Sequence, residues 1–199
     1  VYATYRQQPG DGLNALVCNQ LTLVPLDVTE DDDILALQEQ LKGIELDLII
    51  NNSGLFGPSD QTLGKVSRQR WLEVLNVNSI APLMLAQALQ SNLSAKRGTF
   101  AVLSSRMGSI EGNDEGSLYL YRSSKAAVNQ VVKSLSIDLK KLGINVVALH
   151  PGWVQTDMGG ANASINTQTS VNGLRKVLAQ ISPRDSGRFI NYDGTAIAW

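Results

Sequence analysis

Apolar and β-branched residues gather in short runs at 1–5, 21–26, 46–50, 99–103 and 145–149, each followed by polar or small residues. Runs of that length and composition predict strands. Between them the apolar positions recur at helical spacing. In 31–42, Ile34, Leu37 and Leu41 fall on one face, and Asp31, Asp32 and Asp33 crowd the start, where free amides and the helix dipole favour negative charge. Segments 71–93 and 118–142 are long enough to cross a sheet, and Gly143 after Lys140 and Lys141 is a C-terminal stop. Strands that are apolar throughout and joined by helices predict an α/β fold in one domain, 1–199: a three-layer, doubly wound parallel sheet covered on both faces. The stretch 159–168, rich in Gly, Asn, Ser and Thr, is expected to be a mobile loop before a last helix.

Composition narrows the function. With 199 residues, 43% of them hydrophobic, the chain builds a core without disulfides or metals. Its 17 basic and 18 acidic residues give a net charge of -1 with no basic cluster, which argues against a nucleic-acid surface. Cys18 is the one cysteine, so an intrachain disulfide is excluded and a thiolate metal site lacks ligands; the residue is expected to be a small buried hydrophobe in a reduced compartment. The acidic triplet at 31–33 reads as a helix start rather than a metal site, since no second carboxylate cluster accompanies it. No apolar run nears the roughly 18 residues of a membrane span, so a soluble, cytoplasmic protein with no membrane partner is expected.

In an open parallel sheet, ligands bind beyond the carboxyl ends of the strands. Three polar sets stand there: Asn51-Asn52-Ser53-Gly54, then Ser104 and Ser105, then His150-Pro151-Gly152. Tyr121 and Lys125 are four residues apart in a helical segment, so the ammonium can lie beside the phenol and favour its ionised form, as a general acid/base requires. That spacing alone is also common on solvated helix faces. Tyr119 points elsewhere and is expected in the core or the wall of a substrate pocket. His150 is the one histidine, and without a Gly-x-Ser-x-Gly elbow it makes no hydrolase triad; it is expected to pack or bond locally.

Taken in order, these motifs resemble the short-chain dehydrogenase/reductase family over about the whole chain. They are nearest the Sniffer-like and C-factor-like branch in Ser104-Ser105-Arg106-Met107-Gly108-Ser109-Ile110, Tyr121-Arg122-Ser123-Ser124-Lys125, His150-Pro151-Gly152-Trp153-Val154 and Asn191-Tyr192-Asp193-Gly194. The resemblance implies a Rossmann-type oxidoreductase that moves a hydride between NADP and a small carbonyl or alcohol substrate. Tyr121 would be the proton donor, with Ser105 on the same substrate oxygen. Lys125 would lower the Tyr121 pKa and hold the nicotinamide ribose, and Asn78 would help hold a proton-relaying water. The family sets its serine nearer the tyrosine than Ser105 stands, so a three-residue insertion within 111–117 is expected; Ser104 and Ser109 are the alternatives. Asn78 also has a plainer reading, a polar residue bonding nearby backbone at a helix irregularity. Asp27 and Val28 would contact adenine. Asn51, Ser53 and Gly54 would pass the adenosine ribose, and Pro151, Gly152, Val154 and Thr156 would line the nicotinamide. Arg6 closes the first run, where a basic residue accommodates a 2′-phosphate, so NADP is expected over NAD. A homodimer or homotetramer is implied. A different expectation also follows from the branch: a non-catalytic signalling or regulatory relative that keeps the fold.

The family's Gly-rich phosphate turn should follow a first strand. One register takes 1–5 as that strand and Gly10-Asp11-Gly12 as the turn. The other takes 1–5 as the second strand, and then a strand, a Thr-Gly-x-x-x-Gly-x-Gly turn and a helix are expected upstream of Val1 in the natural protein, with the missing strand central to the sheet.

Overall fold

The computed structural model describes residues 1–93 and 98–199. Strand β1 (Tyr2–Tyr5) pairs in parallel with β2 (Thr22–Pro25). Strands β3 (Leu48–Asn51), β4 (Thr99–Leu103), β5 (Asn145–His150) and β6 (Phe189–Asn191) form a second parallel sheet in that order. The helices are α1 (Asp11–Asn14), α2 (Asp31–Gln40), α3 (Arg68–Leu75), α4 (Ala81–Leu89), α5 (Tyr119–Asp138) and α6 (Thr167–Gln180), with a π-helical turn, Asn76–Ile80, joining α3 to α4.

Alternation along the strands makes the layers. Phe100, Val102, Val146 and Ala148 point to one face and pack with Leu85, Ala86 and Leu89 of α4 and Val128, Val132 and Leu135 of α5. Ala101, Val147 and Leu149 point to the other and pack with Val177 of α6. Ile34, Leu37 and Leu41 are all buried, as their spacing requires. Gly143 takes φ +73 at the end of the α5 segment, a left-handed stop. The three-layer α/β expectation therefore holds.

Coverage fails at β3, where Leu48 and Ile50 are 39% and 47% exposed. Among the described residues, β3 is hydrogen-bonded to β4 alone, and β1 to β2 alone. The register that makes β1 the first strand would set it between β2 and β3. Among the described residues it bonds only β2, and Asp11–Asn14 is a single helical turn with no buried residue. The two sheets are joined through one apolar core, in which Val24 and Leu26 share a cluster with Phe100 and Val102. They are also joined by side chains: Asn92 Nδ2 donates to the carbonyls of Leu41 (2.6 Å) and Ile44 (2.9 Å), and Gln38 Nε2 to that of Ala88 (2.8 Å).

Four expectations change. Cys18 is exposed, because the chain from 14 to 20 runs over the surface between α1 and β2. Tyr119 is 41% exposed and so is not a core residue; on the first turn of α5 it faces away from the sheet that buries Tyr121. The stretch 159–168 is fastened rather than loose: Ile165 bridges Val154, and Asn166 Oδ1 accepts from Thr169 N at 2.8 Å to cap α6. The continuous helical segment Arg68–Asn92 does have the length and mean hydropathy, 1.3, to cross a membrane. Its Val74, Ala81, Leu85 and Leu89 are spent on this core instead, the behaviour of a buried helix of a globular fold.

Candidate active site

Beyond the carboxyl end of β4 the two serines part company. Ser104 Oγ donates to Asn129 Oδ1 at 2.6 Å, locking the strand end to α5. Ser105 Oγ accepts from Met107 N at 3.2 Å and is the hydroxyl that draws the Tyr121 pKa down. Ser109 is spent on Gly112 N and the Trp199 carbonyl. Of the three candidates, Ser105 is the one that acts on the phenol's pKa. The chain turns at Arg106–Gly108 against α5, and only glycine permits this approach: a β-carbon on Gly108 would lie 2.7 Å from the Lys125 carbonyl carbon.

Tyr121 and Lys125 occupy one face of α5, one turn apart, and are 8% and 4% exposed. The ammonium donates to the Leu103 carbonyl at 2.9 Å and lies 5.7 Å from the centre of the Tyr121 ring. Burial pushes the Tyr121 phenol above its ordinary range, and the Ser105 hydroxyl opposes that shift. Burial also lowers Lys125 to about 8. A phenol held protonated beside an amine that titrates near neutrality is a proton donor with a ready partner. The expected lowering of Tyr121 by Lys125 is not among the causes acting in this arrangement, where Nζ is turned to Leu103.

Asn78 sits in the π-helical turn, 1% exposed. Its Nδ2 donates to the Leu55 carbonyl and to Ser124 Oγ, both at 2.8 Å, and its Oδ1 accepts from Leu55 N at 2.7 Å. Both N–H donors are thus used, and the side chain fastens the loop after β3 to α5. These are the bonds that the plainer of its two readings expects.

The cofactor-side residues stand at strand ends as the motifs suggest. Asp27 Oδ1 accepts from both the amide (3.0 Å) and the hydroxyl (2.7 Å) of Thr29, which holds its carboxyl low, with Arg6 adding to the effect. Val28 packs on the core. Asn51 Oδ1 accepts from Ser53, while Asn51 Nδ2 is buried with no partner among the described residues. A β-carbon on Gly54 would be 3.6 Å from Lys125 Nζ, so the loop brings its backbone beside the ammonium. Gly152 has φ +87, and a β-carbon there would meet Ile165 at 2.6 Å and the Tyr192 ring at 3.0 Å, holding Pro151 and Gly152 flat at the end of β5. Thr156 Oγ1 accepts from Gly159 N at 3.1 Å, and Val154 is laddered to Ile165. An orphaned donor at Asn51, a close glycine and a buried lysine are what a ribose-bearing cofactor satisfies, and these residues fit one.

His150 and Asn191 are opposite each other in the β5–β6 register, and His150 Nδ1 and Asn191 Oδ1 are both buried with no partner among the described residues. Burial first, and Arg106 second, push His150 down to about 4 against the opposing pull of Asp193. The imidazole is therefore neutral.

Residues the motif reading missed are Gln61, Ser124 and Phe56, whose ring centre is 4.9 Å from that of Tyr121. Gln61 Oε1 accepts from Tyr121 N at 2.9 Å. Ser117 and Leu118, just before α5, have φ of 55 and 47, at a cost of about 1–2 kcal/mol each. Neither Gln61 nor this bend carries a local sequence signal.

A parallel doubly wound sheet that gathers a serine, a tyrosine and a lysine beyond its strand ends offers a site suited to proton transfer. Comparison with known proteins agrees. The short chain dehydrogenase family profile matches residues 6–167, and the chain belongs to that family. It is similar to the C-signal of Myxococcus xanthus, 41% identical over 157 residues, covering 77% of this chain and 93% of that one. The carbonyl reductase Sniffer of D. melanogaster superposes with a TM-score of 0.95 at 34% identity, covering all of this chain and 87% of the other. An NADPH-bound carbonyl reductase from chicken fatty liver superposes at 0.86 with 37% identity, over all of this chain and 87% of the other.

Proposed function

We propose that the protein is an NADP-dependent carbonyl reductase acting on a small aldehyde or ketone, or on the corresponding alcohol in reverse. The observation that carries this is the pairing of Tyr121 with Lys125 on one buried face of α5, Nζ 5.7 Å from the centre of the phenol ring, beyond the strand end that bears Ser105. When bound, the nicotinamide supplies the hydride to the carbonyl carbon or takes it from the alcohol carbon. Ser105 donates to the carbonyl oxygen and orients it. Tyr121 passes its hydroxyl proton to that oxygen, which leaves an alcohol and a tyrosinate. Lys125, charged below about 8, stabilises the tyrosinate and returns a proton to it. Lys125 would also hold the ribose hydroxyls, and Asn78 positions the loop that Lys125 faces. Pro151, Gly152, Val154 and Thr156 would line the nicotinamide; Asn51, Ser53 and Gly54 would line the adenosine ribose, and Asp27 and Val28 the adenine. Arg6, exposed at the end of β1, supports NADP over NAD by offering a cation to a 2′-phosphate. Similar structures from Burkholderia multivorans and Pseudomonas aeruginosa hold NADP. Exposed Leu72, Ile80 and Ile137 on the long helical stretches support a homodimer or homotetramer, and the single free thiol suits a cytoplasmic setting.

The test is loss of NADPH absorbance with a panel of aldehydes and ketones, for wild type and Tyr121→Phe. Turnover in the wild type and none in a folded Tyr121→Phe is expected; equal turnover in both sinks the Tyr121 role. The C-signal likeness favours one other reading, a signalling relative that keeps the fold. NADPH binding without oxidation on any substrate of the panel would select it.

A further inference from the structure

Helix α5 starts without a cap of its own. The residue before it, Leu118, is left-handed at φ 47 and has no side-chain acceptor, yet the first N–H groups of a helix need partners. They find one residue, some sixty positions earlier. The Gln61 carbonyl accepts from Tyr119 N at 3.4 Å, and Gln61 Oε1 accepts from Tyr121 N at 2.9 Å. The same amide donates from Nε2 to the carbonyls of Phe56 and Pro58, both at 2.9 Å, and the whole residue is 1% exposed. Gln61 is therefore held by the loop that follows β3 and in turn holds the backbone of the tyrosine. That loop is also the one that carries Gly54 past Lys125 and sets Phe56 against the Tyr121 ring.

We propose that Gln61 is a positioning residue for Tyr121, a remote cap that fixes the first turn of α5, and so the height of the phenol against Ser105, by tying it to the cofactor-side loop. This rests on the reading of Tyr121 as the proton donor. The left-handed pair Ser117 and Leu118 persists because the bonds to Gln61 over-determine the turn. Small displacements of a proton donor reduce rate far more than binding, so loss of the cap should act on kcat.

The experiment compares full-length wild type, Gln61→Met and Gln61→Glu. Methionine keeps the length and removes every hydrogen bond; glutamate keeps the acceptor for Tyr121 N and loses the donors to Phe56 and Pro58. Amide exchange at 119–122 and steady-state kinetics are measured together, with NADPH Kd. In Gln61→Met, Tyr121 N is expected to exchange at least about tenfold faster and kcat to fall about tenfold or more. Carbonyl KM and NADPH Kd should stay within about twofold, whereas general loosening would move them too. Gln61→Glu should keep part of the protection at Tyr121 N but, with a carboxylate facing the Phe56 and Pro58 carbonyls, lose the tie to the loop, so its kcat should fall with that of Gln61→Met. Unchanged exchange in Gln61→Met overturns the cap, and lost protection with unchanged kcat overturns its role in positioning the donor. A wild type inactive on every carbonyl sinks the reductase reading instead, and the exchange measurement still decides the cap.

Discussion

Gly108 and Lys125 touch backbone to backbone: a β-carbon on Gly108 would lie 2.7 Å from the Lys125 carbonyl carbon and 2.9 Å from its oxygen. The turn after β4 can reach α5 only because position 108 has no side chain, and this contact sets Ser105 over Tyr121. Gly108→Ala is expected to lower stability by about 1–3 kcal/mol through overpacking and to reduce turnover beyond that loss. Thermal unfolding alongside kcat checks it; a variant with wild-type Tm would mean the turn has room to move.

Lys125 costs the fold stability in return for chemistry. Its fall from 10.5 to about 8 corresponds to about 3 kcal/mol for keeping Nζ charged in the core, offset in part by roughly 1 kcal/mol from its bond to Leu103. Lys125→Met should therefore be more stable than wild type by about 2 kcal/mol at pH 7, with turnover at background. Between pH 8 and 10.5 the unfolded chain holds the proton that the fold has released, so wild-type stability rises with pH and the gap to Met closes. Denaturant midpoints across that range test it, and a constant gap would contradict the lowered pKa.

His150 sets an acid limit of its own. With the folded imidazole at about 4 and the free one near 6.5, the unfolded chain binds the extra proton between those values, so stability present above pH 6.5 is lost as pH falls to 4. The loss is on the order of 3 kcal/mol. Titrating groups held low in this fold, Asp27, Asp185 and Asp193 among them, act below that window. His150→Asn should flatten the stability curve from 6.5 to 4; an identical slope in the variant assigns the loss elsewhere.

Arg6→Ala is expected to weaken NADPH by about tenfold, the order of one lost phosphate contact, and to leave NADH within about twofold. Equal effects in paired titrations would leave Arg6 a bystander at the strand end.

The sequence made the repeating parts of the fold legible. Residues 99–103 and 145–149 are apolar enough to announce central strands, and Ile34, Leu37 and Leu41 announce a helix face. β6 escaped because Phe189–Asn191 is three residues long and follows Arg184, Asp185 and Arg188. In the site, the i, i+4 pairing of Tyr121 with Lys125 was readable, since helix geometry alone brings them together. The partition of Ser104 from Ser105 was not, because it depends on which face of a strand end meets Asn129. The π-helical turn at Asn78 leaves no periodic trace, and Gln61 is joined to Tyr121 by a contact across 60 residues that no local pattern encodes. Cys18 was misread because the average burial of cysteine says nothing of one in a surface turn.

Asn92 has a consequence for how the layers keep their spacing. Its single amide donates to the carbonyls of Leu41 and Ile44, and Gln38 donates to that of Ala88, so α2 and the end of the α4 segment hold a fixed span through side chains that the site does not use.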